Sequence, residues 1–202
     1  MIYFCKVKFT PRQIEILQAA SKLIGKSGPN NVTTKNLAEV MGFTEPALYR
    51  HFKSKTDILV SLIEYFKNQL SDGIELVLDK DISGFESIHQ LIKFQFSLIS
   101  KQPAVIMVIF AETSFQYDPV LSEAVLHLNT WLKAIIIDMI RNGMKDGSIR
   151  SDVKKEDLAT IILGSMRMTV LQWRLSEFAF DLHKRGSDLC TTIKQLVQPV
   201  TK

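Results

Sequence analysis

Apolar residues recur at intervals of three or four positions along almost the whole chain, and this spacing places them on one face of an α-helix. Near the N-terminus, one such stripe consists of Ile16, Leu17, Ala20, Leu23 and Ile24. No segment between hairpin turns shows the two-residue alternation that is typical of a half-buried β-strand. The pattern therefore predicts an all-α protein.

Capping residues and helix breakers divide this pattern into separate helices. Thr10, Pro11 and Gln13 are residue types favoured at the N-cap, first and third positions of a helix. Gly28 followed by Pro29 ends that helix. By the same reasoning we expect helices over about 11–26, 34–41, 45–52, 55–70, 84–101, 104–112, 119–144, 155–177 and 182–197.

A short turn joins the second and third predicted helices. Only Gly42, Phe43 and Thr44 lie between them, which is typical of the glycine-containing turn of a helix-turn-helix. We therefore expect a three-helix head over residues 1–54, which holds this motif, and a larger helical bundle over residues 55–202.

The composition indicates a folded, cytoplasmic protein that does not enter a membrane. Apolar residues make up 46% of the 202 residues, enough for a sizeable core. The longest uninterrupted apolar run, residues 104–111, is too short to cross a bilayer. Lys6 and Lys8 interrupt the N-terminus, so the sequence does not predict a secretion signal. Cys5 and Cys190 lie far apart without metal-ligand spacing, which favours two reduced thiols.

Positive charge is concentrated in the first quarter of the chain. Residues 1–55 hold nine lysines and arginines against three glutamates, whereas residues 56–202 hold sixteen against eighteen acidic residues. A basic module on a neutral-to-acidic body suggests contact with a polyanion. From charge alone, a solvated basic face without a partner remains an equal alternative.

The segment from Val32 to Lys55 separates into an apolar interior and a polar exterior. The interior positions are Leu37, Ala38, Met41, Phe43, Leu48 and Phe52. The polar positions expected to point outward are Thr44, Glu45, Tyr49, Arg50, His51, Lys53 and Lys55. A recognition helix needs small or polar residues at its N-terminal end and cationic or hydroxyl groups at its flanks, and this segment has both.

Three residues open the third helix and would enter the major groove of double-stranded DNA first. Glu45 could accept a hydrogen bond from the N4 amino group of cytosine. Pro46 and Ala47 could contact a thymine methyl group. These three positions form the predicted reading tip.

Several other residues could hold phosphates, and each also has a purely structural interpretation. Tyr49 could donate its hydroxyl proton to a phosphate or be a core aromatic residue. His51 could donate a ring N–H to a phosphate or serve only in packing. Lys55 begins the fourth helix, where a phosphate is favoured, although it could be an ordinary surface lysine. Thr33 or Thr34 could reach a phosphate or simply cap the second helix. Arg50 and Lys53 could contact the backbone or only raise the local potential.

The pattern of these residues resembles the DNA-binding domain of the TetR/AcrR family of bacterial transcriptional regulators. The resemblance covers about residues 10–66 and is carried by Thr33, Thr34, Leu37, Ala38, Met41, Gly42, Phe43, Thr44, Ala47, Leu48, Tyr49, His51, Phe52, Ser54 and Lys55. It implies base-edge contacts from the reading tip, and phosphate contacts from Thr33 or Thr34, Thr44, Tyr49, His51 and Lys55.

Two positions depart from the family pattern. Many members have Thr or Ser where this chain has Ala47, so one polar contact is missing. Glu45 is acidic where Lys or Gln is common, which we expect to alter base preference without abolishing binding.

The resemblance also implies a homodimer that binds a pseudo-palindromic operator through two recognition helices one DNA turn apart. The segment 158–175 is apolar on more than one side, as a helix that packs on both its own body and a partner would be. A helix central to a monomeric core is the alternative. The dimer-interface candidates are Met168, Leu171, Trp173, Leu189, Ile193 and Leu196.

A small-molecule effector of unknown identity is the next implication of the resemblance. The candidate pocket residues are Phe94, Leu98, Met107, Phe110, Phe115, Trp131, Ile135 and Met166. Methionine and aromatic residues suit an adaptable cavity for a hydrophobic or amphipathic ligand, and they suit an ordinary core equally well. Glu112, Gln116 and His127 are polar groups on otherwise apolar segments and could orient such a ligand.

Three functions therefore compete. The leading one is a ligand-responsive repressor. A helical enzyme or carrier lacks support, because the histidines at 51, 89, 127 and 183 show no metal-type spacing, and we find no phosphate-binding glycine loop, catalytic pair or cofactor motif. A DNA-bound adaptor that recruits a protein and uses no effector remains open.

Overall fold

The computed structural model describes residues 6–28, 32–78, 81–110 and 118–199, which form helices and no strand. The helices are α1 (Pro11–Ser27), α2 (Thr34–Val40), α3 (Glu45–Tyr49), α4 (Lys55–Leu78), α5 (Gly84–Lys101), α6 (Pro103–Ile109), α7 (Pro119–Asp146), α8 (Lys155–Leu175) and α9 (Leu182–Val197). The all-α prediction is confirmed.

The contacts divide the chain into two compact units. The head unit comprises Tyr3–Gln69 and Gln102–Leu128, and the body unit comprises Leu70–Lys101 and Asn129–Lys202. Both units are discontinuous in sequence, because α4 and α7 each contribute residues to both. The functional boundary between residues 54 and 55 stays a prediction.

The start of α1 has the capping box predicted from sequence. The Thr10 hydroxyl accepts from the backbone N–H of Gln13, and the Gln13 side chain accepts from the backbone N–H of Thr10. Gly28 follows the helix with φ +78°, a conformation that glycine adopts without strain. Both ends of this helix were therefore readable from local sequence.

The helices α3 and α4 end several residues away from the predicted positions. The third helix ends at Tyr49 instead of Phe52, because the N–H of His51 bonds back to Leu48 in a tight i to i−3 turn. The fourth helix continues to Leu78 instead of ending near Leu70, and Ile74 is fully buried beyond the predicted end. Burial within these two added turns stabilises the longer helix.

The core of the head unit consists of the apolar faces of α1, α2, α3, α4 and α6. Of the predicted interior residues, Leu37, Ala38, Leu48 and Phe52 are buried, whereas Met41 and Phe43 are half-buried. The α1 helix packs mainly on α6, where Ile106 is 1% exposed. A packed scaffold of this kind keeps α3 in place at the surface.

The body unit brings α5, α8 and α9 together, and α5 also lies close to α7. A Cβ atom at Gly84 would lie only 2.1 Å from the backbone nitrogen of Gly143. The Asp146 carboxylate accepts from the N–H of Gly84 at 2.7 Å. A glycine is therefore required where α5 begins against α7.

By length and composition alone, α7 could cross a membrane, and it is the one helix in the described ranges that meets this criterion. The core helix of a soluble protein meets it equally well. The face of α7 formed by Leu121, Ala124, Val125, Leu128, Leu132, Ile135, Ile136, Met139 and Ile140 is buried within the protein. We therefore interpret α7 as a core helix.

Candidate nucleic-acid interface

The turn between α2 and α3 shapes the exposed side of the head. Gly42 has φ +65°, so a side chain at this position would be strained. Thr33 is the N-cap of α2 and accepts from the N–H of Asn36 at 3.1 Å. Thr44 holds the N-cap position of α3 with extended backbone, but its exposed side chain makes no capping bond. The helix-turn-helix geometry is thus present as predicted, without a side-chain cap on α3.

A cluster of two hydroxyls and one carboxylate links α2 to α3. The Thr34 hydroxyl donates to the Glu45 carboxylate at 2.8 Å. The Tyr49 hydroxyl donates to Thr34 Oγ1 at 3.4 Å. Glu45 and Thr34 are half-buried, whereas Tyr49 is 48% exposed. We call these three residues the hydroxyl cluster. Sequence spacing does not reveal it, because Glu45 and Tyr49 lie eleven and fifteen positions from Thr34.

The other predicted contact residues differ in exposure. Pro46 and Arg50 are exposed, while Ala47, His51 and Lys55 are half-buried. Burial lowers the pKa of the Lys55 ammonium group from its ordinary value. A partly desolvated cation of this kind gains more from a phosphate than a fully hydrated one does.

A capping arrangement at the start of α4 supports Lys55. The Ser54 hydroxyl accepts from the N–H of Asp57 at 3.0 Å, and the Asp57 carboxylate accepts from the N–H of Lys53 at 2.7 Å. Ser54 thus caps the start of α4, and Asp57 binds the backbone of the residue before the cap. These bonds hold the backbone from which Lys55 projects.

Two contacts from α1 support the helix-turn-helix, and sequence reasoning missed both. The Gln13 amide donates to the carbonyl oxygen of His51 at 3.2 Å, two residues after the end of α3. The Arg12 guanidinium lies 4.2 Å from the centre of the Phe43 ring, at the turn between α2 and α3. Sequence spacing cannot reveal these contacts, because they join residues about thirty or more positions apart.

The effector candidates are distributed over both units. In the body unit Phe94, Leu98 and Trp131 are half-buried, and Ile135 and Met166 are buried. The head unit contains Met107 and Phe110, both half-buried, while Phe115, Glu112 and Gln116 lie outside the described residues.

One of these candidates lines an open groove of the body unit. The groove has a volume of about 470 Å³, and Phe94 lines it together with Leu76 and Phe96.

His127 is exposed and lies 3.8 Å from Glu123 on the same helix. The described residues contain no group of three or more potential metal ligands.

The dimer candidates fall into two groups. Met168 and Leu196 are 54% and 58% exposed, and Leu171 and Leu189 are half-buried. Trp173 and Ile193 are buried within the subunit, at 6% and 3% exposure.

Two further residues of α8, which were not among the dimer-interface candidates, are also exposed. Ile161 and Leu175 are 56% and 67% exposed, and each lies seven positions from Met168 on α8. The spacing of seven residues could have revealed them, because it repeats one helix face every two turns. We call Ile161, Met168 and Leu175 the α8 stripe.

Comparison with known families gives two adjoining matches. The family described as bacterial regulatory proteins, tetR family, matches residues 16–62. The family described as YsiA-like protein, C-terminal region, matches residues 62–197.

Among similar proteins, the nucleoid occlusion factor SlmA of Shewanella halifaxensis is 24% identical over 185 residues, which cover 91% of this chain and 93% of that protein. SlmA of Yersinia enterocolitica is 35% identical over 95 residues, which cover 46% of this chain and 48% of that protein.

Several solved structures share the fold. The fatty acid degradation regulator FadR of Bacillus halodurans has a TM-score of 0.82 at 16% identity and covers 93% of this chain and 96% of its own. FadR of Bacillus subtilis, solved in complex with stearoyl-CoA, has a TM-score of 0.81 at 21% identity, with coverages of 92% and 99%. The ketosteroid regulator KstR2 of Mycobacterium tuberculosis has a TM-score of 0.75 at 18% identity, with coverages of 96% and 98%.

Proposed function

Since the chain belongs to the TetR family of bacterial regulatory proteins, we propose that it is a homodimeric cytoplasmic repressor that a small hydrophobic or amphipathic effector releases from its operator. The family supplies the coarser function, a DNA-binding transcriptional regulator with a helix-turn-helix. The dimer, the repression and the effector are the proposed parts.

The observation that carries the DNA-binding part is the exposed polar side of the head. The reading tip Glu45, Pro46 and Ala47 lies at the start of α3, where a recognition helix contacts base edges. Hydroxyl and cationic groups flank it. The proposed phosphate contacts are Thr33, Thr34, Thr44, Tyr49, Arg50, His51 and Lys55.

The α8 stripe supports the dimer. Its three apolar side chains are more than half exposed in the subunit, and Leu196 on α9 is exposed as well. Surface apolar residues in one row are typical of a self-association face. A two-fold axis through this face would pair two heads on a pseudo-palindromic operator. The buried Trp173 and Ile193 would then support the interface from beneath.

The effector part is supported by a structural relative. FadR of Bacillus subtilis was solved with stearoyl-CoA, an amphipathic molecule. An effector that binds one state of the dimer more tightly than the DNA-bound state would shift the population away from DNA. Stearoyl-CoA is therefore the first probe.

The adaptor alternative also has a specific observation in its favour. The SlmA proteins, named nucleoid occlusion factors, are similar over most of the chain. A protein of that kind could remain on DNA without any small effector. A ligand that releases the protein from DNA would support the repressor, whereas an adaptor would stay bound in its presence.

The test begins with selection of bound sequences from a random duplex library by the full-length protein. We expect a pseudo-palindromic sequence, two subunits per site in light scattering, and release of that duplex on addition of stearoyl-CoA. A shorter acyl-CoA and free stearate are the comparison ligands. Absence of sequence enrichment would reject the regulator. Enrichment without release by any of these ligands would favour the adaptor.

A further inference from the structure

In the hydroxyl cluster, Thr34 and Tyr49 each have one hydroxyl proton. Both protons are already used in hydrogen bonds within the cluster. Thr34 donates its single O–H to the Glu45 carboxylate at 2.8 Å. Tyr49 donates its single O–H to Thr34 at 3.4 Å. Both hydroxyls, which are proposed phosphate donors, are therefore already engaged within the free protein.

A DNA phosphate would compete with Glu45 for the same donor. A carboxylate oxygen and a phosphate oxygen are both anionic acceptors, and Thr34 can donate to only one of them. From this conflict we infer that Glu45 acts as an internal substitute for DNA phosphate and thereby limits binding to non-cognate sequences. The inference rests on the proposed DNA-binding face.

The cost of displacing Glu45 depends on the DNA sequence. When a phosphate takes the Thr34 hydroxyl, the Glu45 carboxylate loses a hydrogen bond and lies next to a negatively charged backbone. A base-edge amino group, such as N4 of cytosine, supplies a replacement donor. Sequences without such a group at this position leave the carboxylate unpaired. Glu45 therefore discriminates between DNA sequences mainly by weakening the complexes with non-cognate DNA.

The experiment compares Glu45→Gln with the wild type on two duplexes. One is the sequence enriched by the wild type from a random library, and the other is a random-sequence duplex of equal length. We expect Glu45→Gln to bind the random duplex about threefold or more tightly, because a neutral amide accepts the Thr34 hydroxyl proton less strongly than a carboxylate does and yields it more readily to a phosphate. The enriched duplex gains less or loses affinity, so the ratio of the two affinities falls.

A matched control separates this effect from the change in net charge. Glu39 is an exposed acidic residue of the same head, on α2, outside the hydroxyl cluster. We expect Glu39→Gln to leave the affinity ratio unchanged. Thermal unfolding followed by circular dichroism checks that each variant is folded.

A double-mutant cycle tests the role of Thr34. In a Thr34→Val background no hydroxyl remains for Glu45 to occupy, so we expect Glu45→Gln to tighten random-duplex binding by a smaller factor. An equal factor in both backgrounds would overturn the inference, as would an unchanged affinity ratio in Glu45→Gln or an equal change in Glu39→Gln. Failure of the wild type to enrich any sequence would instead reject the proposed function, and the inference with it.

Discussion

At the residue scale, Gln13 shows how one side chain serves two purposes. Its amide oxygen accepts from the N–H of Thr10 at 3.0 Å and so caps α1. Its amide nitrogen donates to the carbonyl oxygen of His51 at 3.2 Å, next to the phosphate-binding candidates. The first contact follows from local spacing. The second depends on how α1 packs beside the end of α3.

Lys55 is the residue whose replacement tests the phosphate contacts most directly. We expect Lys55→Gln to weaken binding of every duplex by about 1 kcal/mol and to lower the slope of log K against log salt by about 0.9, because one phosphate contact is lost. Fluorescence anisotropy at several salt concentrations measures both quantities. Lys184→Gln, an exposed lysine on α9, is the matched control. An effect limited to one DNA sequence would contradict the phosphate assignment.

Cys190 should be chemically inert in the folded protein. Burial raises the pKa of its thiol to about 11. At pH 8 only about one molecule in a thousand would carry the reactive thiolate, against about a tenth in an unfolded chain. In a Cys5→Ser background we expect slow modification by a thiol reagent under native conditions and fast modification in denaturant. Equal rates would show that the thiol is accessible.

The same pKa shift has a consequence for stability at alkaline pH. The folded state keeps the thiol proton up to about pH 11, whereas an unfolded thiol loses it near pH 9. The thiol's contribution is therefore complete below about pH 9 and is lost as the pH rises toward 11. Cys190→Ala should remove this part of the pH dependence.

At the element scale, the loop after α8 contains backbone strain. Glu177 and Phe178 have φ values of 53° and 66°, in the left-handed region that favours glycine. The N–H of Phe178 bonds to the carbonyl of Trp173 at 2.8 Å, and the Trp173 indole donates to the carbonyl of Phe180 at 2.9 Å. These bonds hold the turn that reverses the chain into α9.

Relief of this strain should stabilise the protein. We expect Glu177→Gly to raise the free energy of unfolding by about 0.5–1 kcal/mol, because glycine removes the left-handed penalty and loses only part of that gain through its freer unfolded chain. Urea denaturation provides the measurement. Ala179→Gly, two residues further on, should lower the stability instead. A loss of stability in both variants would mean that the turn is not strained.

At the scale of the whole molecule, the α8 stripe is an apolar surface that a single subunit leaves exposed. The buried Trp173 and Ile193 stabilise the subunit, whereas Met168 and Leu175 can bury apolar surface only against another molecule. The sequence-based candidates combined both kinds of residue, because a helix that is apolar on two sides does not show which side faces the partner.

Dimerisation through this stripe has a direct test. Met168→Glu places a charge on the proposed interface, so we expect it to shift the protein from dimer to monomer in sedimentation at micromolar concentration. Operator affinity should fall at the same time, because two heads no longer bind together. Leu126→Glu replaces a similarly exposed apolar residue on α7, and this variant should remain dimeric. A monomeric wild type would rule out the obligate dimer.

Local sequence was sufficient to predict the features that depend only on contacts between neighbouring residues. Helical periodicity, the Thr10–Gln13 capping box and the turn around Gly42 all depend on contacts within a few positions, and the helix-turn-helix follows from them. Tertiary structure alone decided the features that join distant residues: the bond from Gln13 to His51, the bond from Thr34 to Glu45, and the opposite exposures of Met168 and Trp173. The physical reason is that hydrogen bonding and burial depend on which helices pack together, and sequence spacing specifies only which face of each helix is apolar.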